Sequence, residues 1–254
     1  MKLQVLGCAG GIGGRERLTT SLLVDRDILL DAGTGLASLD VDQLVKIDHV
    51  FITHSHLDHV TGLALLLDAV QGRKNGPVTV HATEKIIASL KKHLFNWVLW
   101  PDFATIPNPQ NPTLRWEPIE PDGTIDLGGR IITAYPVNHT VGSVAYWVHN
   151  QAAGFLFSGD MSSTPALWSA LQNEKRLMKV IVDCSFANAD MDIANRSMHF
   201  CPRTLIADIE SMPHAVEFLI YHLKPGHEDL IMQELRSESS RGFRALKCGD
   251  SFIF

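Results

Sequence analysis

The stretch Thr53-His54-Ser55-His56-Leu57-Asp58-His59 constrains this chain most strongly. It follows the apolar run His49-Val50-Phe51-Ile52, which reads as a buried strand. It precedes residues 60–70, rich in Leu and Ala, which predict a helix. The cluster therefore falls where a strand gives way to a helix, the usual place for a site in an open α/β sheet. Three imidazoles and a carboxylate between positions 54 and 59 form a dense set of metal donors. His54 and His56 are two apart and project to one side if the extended geometry persists. Asp58 and His59 come after the turn, where they can face a second ion. The pattern suits two metals better than one.

His-x-His-x-Asp-His after a strand resembles the signature of the metallo-β-lactamase superfamily. The longer form His54-Ser55-His56-Leu57-Asp58-His59-Val60-x-Gly62-Leu63 is similar to the class II cyclic-nucleotide phosphodiesterases within it. Three more ligand-type residues stand at expected strand ends: His139, Asp160 and His222. Singly, either histidine reads as a core residue. The resemblance implies that His54, His56 and His139 hold one metal, that Asp58, His59 and His222 hold another, and that Asp160 bridges the two. It also implies that Asp31 buttresses the ligand loop, whereas the residues alone read equally as a turn aspartate.

Imidazole and carboxylate donors without thiolate suit zinc, and also manganese or iron. The expectation is two divalent ions per chain, as zinc. Two ions roughly 3.5–4 Å apart can hold a hydroxide between them and clamp both oxygens of a displacement. Such a centre attacks phosphodiesters and acyl groups alike, so the leaving side must discriminate. Asp183-Cys184-Ser185-Phe186 and His199-Phe200-Cys201-Pro202 resemble the acid-Cys-Ser-Phe and His-x-x-Pro phrases of the class II phosphodiesterases. The second phrase departs from the usual His-Leu-Thr-Pro. The resemblance places His199 at the leaving oxygen, while the residue alone reads as a helix-start histidine. The expected catalytic residues are His199 and the proton-shuttling Asp58. The expected reaction is hydrolysis of a 3′,5′-cyclic nucleotide (cAMP or cGMP) to its 5′-monophosphate by metal-bound hydroxide. The alternatives are a tRNA 3′-end endonuclease resembling ribonuclease Z, a thioester or lactone hydrolase, and a metal-dependent binding module. The complete ligand set disfavours the last.

Taken in order, residues 2–7, 21–24, 28–30, 78–81, 114–119, 131–135, 143–149, 155–157, 180–182 and 217–221 read as further strands. Residues 36–46, 83–94, 165–172, 204–211 and 225–235 read as helices, with Thr83 as a cap. Asp25-Arg26-Asp27 marks a hairpin, and Gly128-Gly129 a second one. Gly10 to Gly14 lacks phosphate-loop spacing and reads as a loop that lets the chain pass near the metals. His81 and His93 read as structural. The order strands, helices, strands, helices predicts two face-to-face sheets with helices outside, an αββα sandwich in the α/β class, as one domain over residues 1–254. That is also the metallo-β-lactamase-like fold that the resemblance implies.

Residues 95–112 break the pattern, with Phe95, Trp97, Trp100 and Phe103 among four prolines. A long irregular aromatic segment predicts a substrate-pocket wall or a homodimer contact. Net charge is −6 without a basic run, which argues against a nucleic-acid partner. No stretch approaches a membrane span, and Val5-Leu6-Gly7-Cys8 follows too short an apolar run for a signal peptide. A cytoplasmic location follows, with Cys8, Cys184, Cys201 and Cys248 as reduced thiols. Cys184 and Cys201 flank expected site residues, which predicts oxidation sensitivity there.

Overall fold

A computed structural model describes residues 1–14 and 16–254. The first half runs β1 (Lys2–Gly7), β2 (Ser21–Val24), β3 (Ile28–Leu30), α1 (Val41–Leu44), β4 (His49–Phe51), α2 (Leu57–Val70), β5 (Val78–Ala82), α3 (Glu84–His93) and β6 (Leu114–Pro118). The second half runs β7 (Thr124–Asp126), β8 (Ile131–Val137), β9 (Ser143–His149), β10 (Gly154–Phe157), α4 (Pro165–Leu171), β11 (Leu177–Asp183), α5 (Met191–Ser197), α6 (Pro202–Asp208), β12 (Glu217–Tyr221), α7 (Glu228–Glu238), β13 (Phe243–Ala245) and β14 (Ser251–Ile253). Among the described residues these strands form two seven-stranded sheets, ordered β14-β1-β2-β3-β4-β5-β6 and β13-β12-β11-β10-β9-β8-β7.

Alternation along single strands explains the layers. Phe51 points into the core between the sheets, while its neighbours Val50 and Ile52 point to the core under α2 and α3. Phe155 and Phe157 enter the same inter-sheet core, and Leu156 faces the core containing residues of α4, α6 and α7. Both faces of each central strand are covered, which is why these strands read as continuous apolar runs. The result is the expected αββα sandwich. A bidentate ion pair adds a polar clasp between the sheets: Arg130, after the β7–β8 turn, donates to both Asp27 oxygens at 2.6 and 2.8 Å.

Several boundaries differ from expectation for identifiable reasons. The helix expected over 36–46 is broken. A 3-10 turn, Thr34–Ser38, ends at an extended Leu39, and Asp40 then caps α1 in a reciprocal box with Gln43. The helix after the ligand cluster starts at Leu57, not 60, so Asp58 and His59 occupy its first turn. The Gly128-Gly129 turn is present, both residues having positive φ as a type I′ turn requires, but it joins β8 to the unexpected β7. The expected partner strand, β6, belongs to the other sheet. The last helix begins at Glu228, after Gly226 takes a φ of 90°.

The aromatic segment divides in two. Phe95 and Phe103 are buried in the core under the helices, and the Trp100 indole donates to the Ala64 carbonyl of α2 at 3.1 Å. Trp97, Val98 and Leu99 form an exposed apolar tip. No helix among the described residues is long and apolar enough to cross a membrane.

Candidate metal centre

The candidate ligands gather at one end of the two sheets. β4 leads to His54 and His56, and α2 carries Asp58 and His59. The β8–β9 turn carries His139, the end of β10 leads to Asp160, and the end of β12 to His222. Donor atoms of His54, His56, His139 and Asp160 lie within 4.8 Å of one another. Those of Asp58, His59, Asp160 and His222 do the same, so Asp160 is common to both groups. Its Oδ2 is 3.6 Å from His54 Nε2 and 3.3 Å from His222 Nε2, and its Oδ1 is 3.3 Å from His59 Nε2.

Local packing brings these groups together. Gly62 lets α2 approach the loop after β3, since a Cβ there would lie 2.4 Å from the Gly33 carbonyl. Gly10 plays the same part beside His222, where a Cβ would lie 2.2 Å from the His222 carbonyl oxygen. The glycine loop thus passes close to the centre, as its composition suggested. Asp31 is fully buried, accepts from the Thr53 N–H and hydroxyl at 2.8 and 2.7 Å, and contacts His59 Nδ1 at 2.7 Å. It orients His59 so that Nε2 faces Asp160. The His139 Nδ1–H donates to the Met198 carbonyl at 2.9 Å, which leaves Nε2 for the centre.

The donor set fits metal ions. His54 Nε2 and His59 Nε2 are fully buried and have no hydrogen-bond partner among the described residues. A buried polar nitrogen without a partner is costly unless a cation occupies its lone pair. Burial, the largest effect, pushes the His54 imidazolium far below its ordinary pKa, keeping the ring a neutral donor. Burial raises the Asp58 carboxyl, but the neighbouring His222 and His59 outweigh it, so Asp58 lies below the usual carboxylate range. Asp160 lies well below that range because His222, His59 and His54 outweigh its burial. The two clusters are compatible with a dinuclear metal centre.

His199 stands beside the centre. Its ring stacks on His222 with centroids 5.2 Å apart and meets His139 edge-on at 4.9 Å. Its Nδ1 contacts Asp183 Oδ2 at 2.6 Å. Burial works against protonation of His199, but the charge and hydrogen bond of Asp183 prevail and raise its pKa. Composition and spacing did not single out three other supports. Tyr221 donates to Asp160 at 2.9 Å, the Met198 carbonyl holds His139, and the Ser185 hydroxyl lies among Asp183, His199 and His222. Only Ser185 lay within a quoted phrase. His81 and His93 are far from this group in role: His81 stacks on Phe51 at 4.4 Å, and His93 ends α3 at the surface. Cys184 and Cys201 are both fully buried, which removes the expected route to their oxidation.

Such a sandwich with such a centre defines a class of metal-dependent hydrolases. A family model described as a beta-lactamase superfamily domain matches residues 26–222, and the chain belongs to that family. It is similar to the 3′,5′-cyclic-nucleotide phosphodiesterase of Schizosaccharomyces pombe, 28% identical over 250 residues that cover 82% of this chain and 70% of that protein. It is also similar to the ribonuclease Z of Clostridium beijerinckii, 25% identical over 227 residues, covering 85% and 70%. Its fold resembles unliganded yeast PDE1 with a TM-score of 0.84 at 17% identity, over 100% of this chain and 99% of that one.

Proposed function

We propose that this single-domain hydrolase is a dinuclear phosphodiesterase that opens 3′,5′-cyclic nucleotides to 5′-monophosphates. His54, His56 and His139 hold one ion, Asp58, His59 and His222 the other, and Asp160 bridges them. Zinc suits this donor set. Bound there, two divalent ions supply Lewis acidity and make water ionisable near neutral pH. The observation that carries the reading is the buried Asp183–His199 pair stacked beside the centre. A ribose alkoxide leaves poorly and needs a proton, whereas the thiolate of a thioester leaves without one. In the reaction a water oxygen bonds to phosphorus and the P–O3′ bond breaks. His199 Nε2 gives its proton to O3′, with Asp183 holding the ring through Nδ1. Asp58 takes up a proton from the water. The substrate is then a small molecule.

The tRNA endonuclease reading has one observation in its favour, the similarity to a ribonuclease Z. The net charge of −6 opposes it, because a long RNA is gripped through its phosphates. One panel decides: purified, zinc-loaded protein assayed on cyclic AMP, cyclic GMP, a precursor tRNA and a lactone. Turnover of a cyclic nucleotide is expected. Cleavage of the tRNA or lactone without cyclic-nucleotide turnover overturns the proposal.

A further inference from the structure

The Ser185 side chain is fully buried at the end of β11 and makes three polar contacts. Its Oγ is 2.5 Å from Asp183 Oδ1, 2.8 Å from His222 Nδ1 and 3.2 Å from His199 Nδ1. A hydroxyl has one proton to give and two lone pairs to receive with. An ionised carboxylate can only accept, so the Ser185 proton goes to Asp183. Oγ is then an acceptor for both rings. His199 Nδ1 already has a shorter partner in Asp183 Oδ2, at 2.6 Å. The short contact with His222 is therefore Nδ1–H donating to Ser185.

That assignment fixes the tautomer of His222. With the proton on Nδ1, the Nε2 lone pair is bare and points at Asp58 Oδ2, 3.2 Å away, and Asp160 Oδ2, 3.3 Å away. The backbone gives a second reason why this residue needs holding. His222 has a φ of 62°, a left-handed conformation that side chains other than glycine rarely adopt. Its N–H is tied to the Cys8 carbonyl at 2.8 Å, and Ser185 supplies the matching tie for the ring. Two parallel imidazoles, 13° apart, thus share one Asp183–Ser185 support.

We infer that Ser185 is a positioning residue for the second ion: it sets the tautomer and direction of His222 and couples that ligand to the Asp183–His199 pair. The inference rests on the two-ion reading of the centre, and its test reads metal binding without any nucleotide. Metal-free wild-type and Ser185→Ala proteins are titrated with Co²⁺, followed by visible absorption and calorimetry. Loss of a hydrogen bond behind a metal-bound histidine typically weakens the metal about 10–100-fold. The expected result is that loss in one equivalent, with its absorption band altered, and an unchanged affinity in the other. Ser185→Thr, which keeps the hydroxyl, restores the weakened equivalent. If Ser185→Ala does not fold, Ser185→Cys, with a weak acceptor of similar size, is expected to show a smaller loss in the same equivalent. Equal affinity in all proteins, or equal weakening of both equivalents, overturns the role of Ser185. A wild-type protein that takes up fewer than two Co²⁺ ions overturns the two-ion reading and this inference with it. Failure on cyclic nucleotides with the Co²⁺ pattern intact rejects only the substrate.

Discussion

The two candidate ion pockets differ in what stands behind their imidazoles. In the first, His54 Nδ1 contacts the Thr53 hydroxyl at 3.0 Å, His56 Nε2 the Thr140 hydroxyl at 3.3 Å, and His139 Nδ1 the Met198 carbonyl. The supports of His56 and His139 are neutral, while the Thr53 hydroxyl behind His54 donates in turn to Asp31 at 2.7 Å. In the second, Asp31 stands behind His59, and Asp183 stands behind His222 by way of Ser185. The second pocket also owns a carboxylate, Asp58, besides the shared Asp160. A carboxylate behind an imidazole raises its basicity and fixes its orientation. The second pocket is therefore expected to hold a divalent ion more tightly, and the first to exchange its ion more readily. Similar histidines acquire different duties from the charge of their second neighbours.

The largest expected effect comes from removing one ligand on each side. His56→Ala and His222→Ala each abolish hydrolysis, and metal analysis shows the loss of different ions. Full activity with at most one ion per chain would break the comparison, since there would be no second pocket to contrast.

Next in size is the acid. General acid catalysis contributes about 10²–10⁴-fold. His199→Ala is expected to slow cyclic-nucleotide hydrolysis by that order and to spare bis(4-nitrophenyl) phosphate, whose phenolate leaves without a proton. Metal content stays at two. Equal loss on both substrates moves His199 from the leaving side to the attacking side, and loss of an ion makes it part of a pocket.

Asp31→Asn probes the asymmetry itself. It removes the charge in direct contact with His59, and reaches His54 only by way of Thr53, so it is expected to weaken the second ion more, by about 10–100-fold. Chelator titration of the wild type should release the two ions in separate steps, and the variant should bring the steps together. A wild type that loses both ions in one step would show that neutral and charged supports are equivalent here.

Acid sensitivity separates centre from scaffold. His81 is buried on the inter-sheet side, and burial, aided by the His49 charge, pushes its pKa down to about 4 from an ordinary 6.5. Between those values the unfolded chain binds a proton that the folded chain refuses. The stability conferred by this neutral histidine is thus complete above pH 6.5 and is lost as the pH falls toward 4, by on the order of 3 kcal/mol. His81→Phe should flatten that slope in urea unfolding measured from pH 7 to pH 4. An unchanged slope assigns the acid sensitivity to the centre.

The smallest effect concerns the far side of His222. Cys8, whose carbonyl holds the His222 N–H, lies beside the Cys248 thiol, and its thiol brings that group down to about 6 despite partial burial. Iodoacetamide at pH 7 is expected to label Cys248 first, ahead of the buried Cys184 and Cys201, with both ions retained. Early labelling of Cys184 would mean that the wall behind the second pocket opens.

Four donors within six positions are legible in a sequence because strand and helix geometry act over that range. The apolar runs that built β2, β4, β9 and β12 are legible for the same reason. The edge strands β7, β13 and β14 are not, because their pairing depends on which side of each sheet is left open. Thus Gly128-Gly129 announced a turn, but only the fold decided that its first strand was β7 and not β6. Asp40-x-x-Gln43 shows the same limit, since the capping box that splits residues 36–46 is written in the chain yet competes with an equally helical composition. At the centre, residue types named the donors, and a resemblance grouped His139, Asp160 and His222 with them. The supports were out of reach. A carbonyl such as that of Met198 carries no side-chain signature, and a serine is common everywhere. What Ser185 does depends on the ends of β11 and β12 lying side by side in one sheet, 37 residues apart in sequence, and only the tertiary structure decides that.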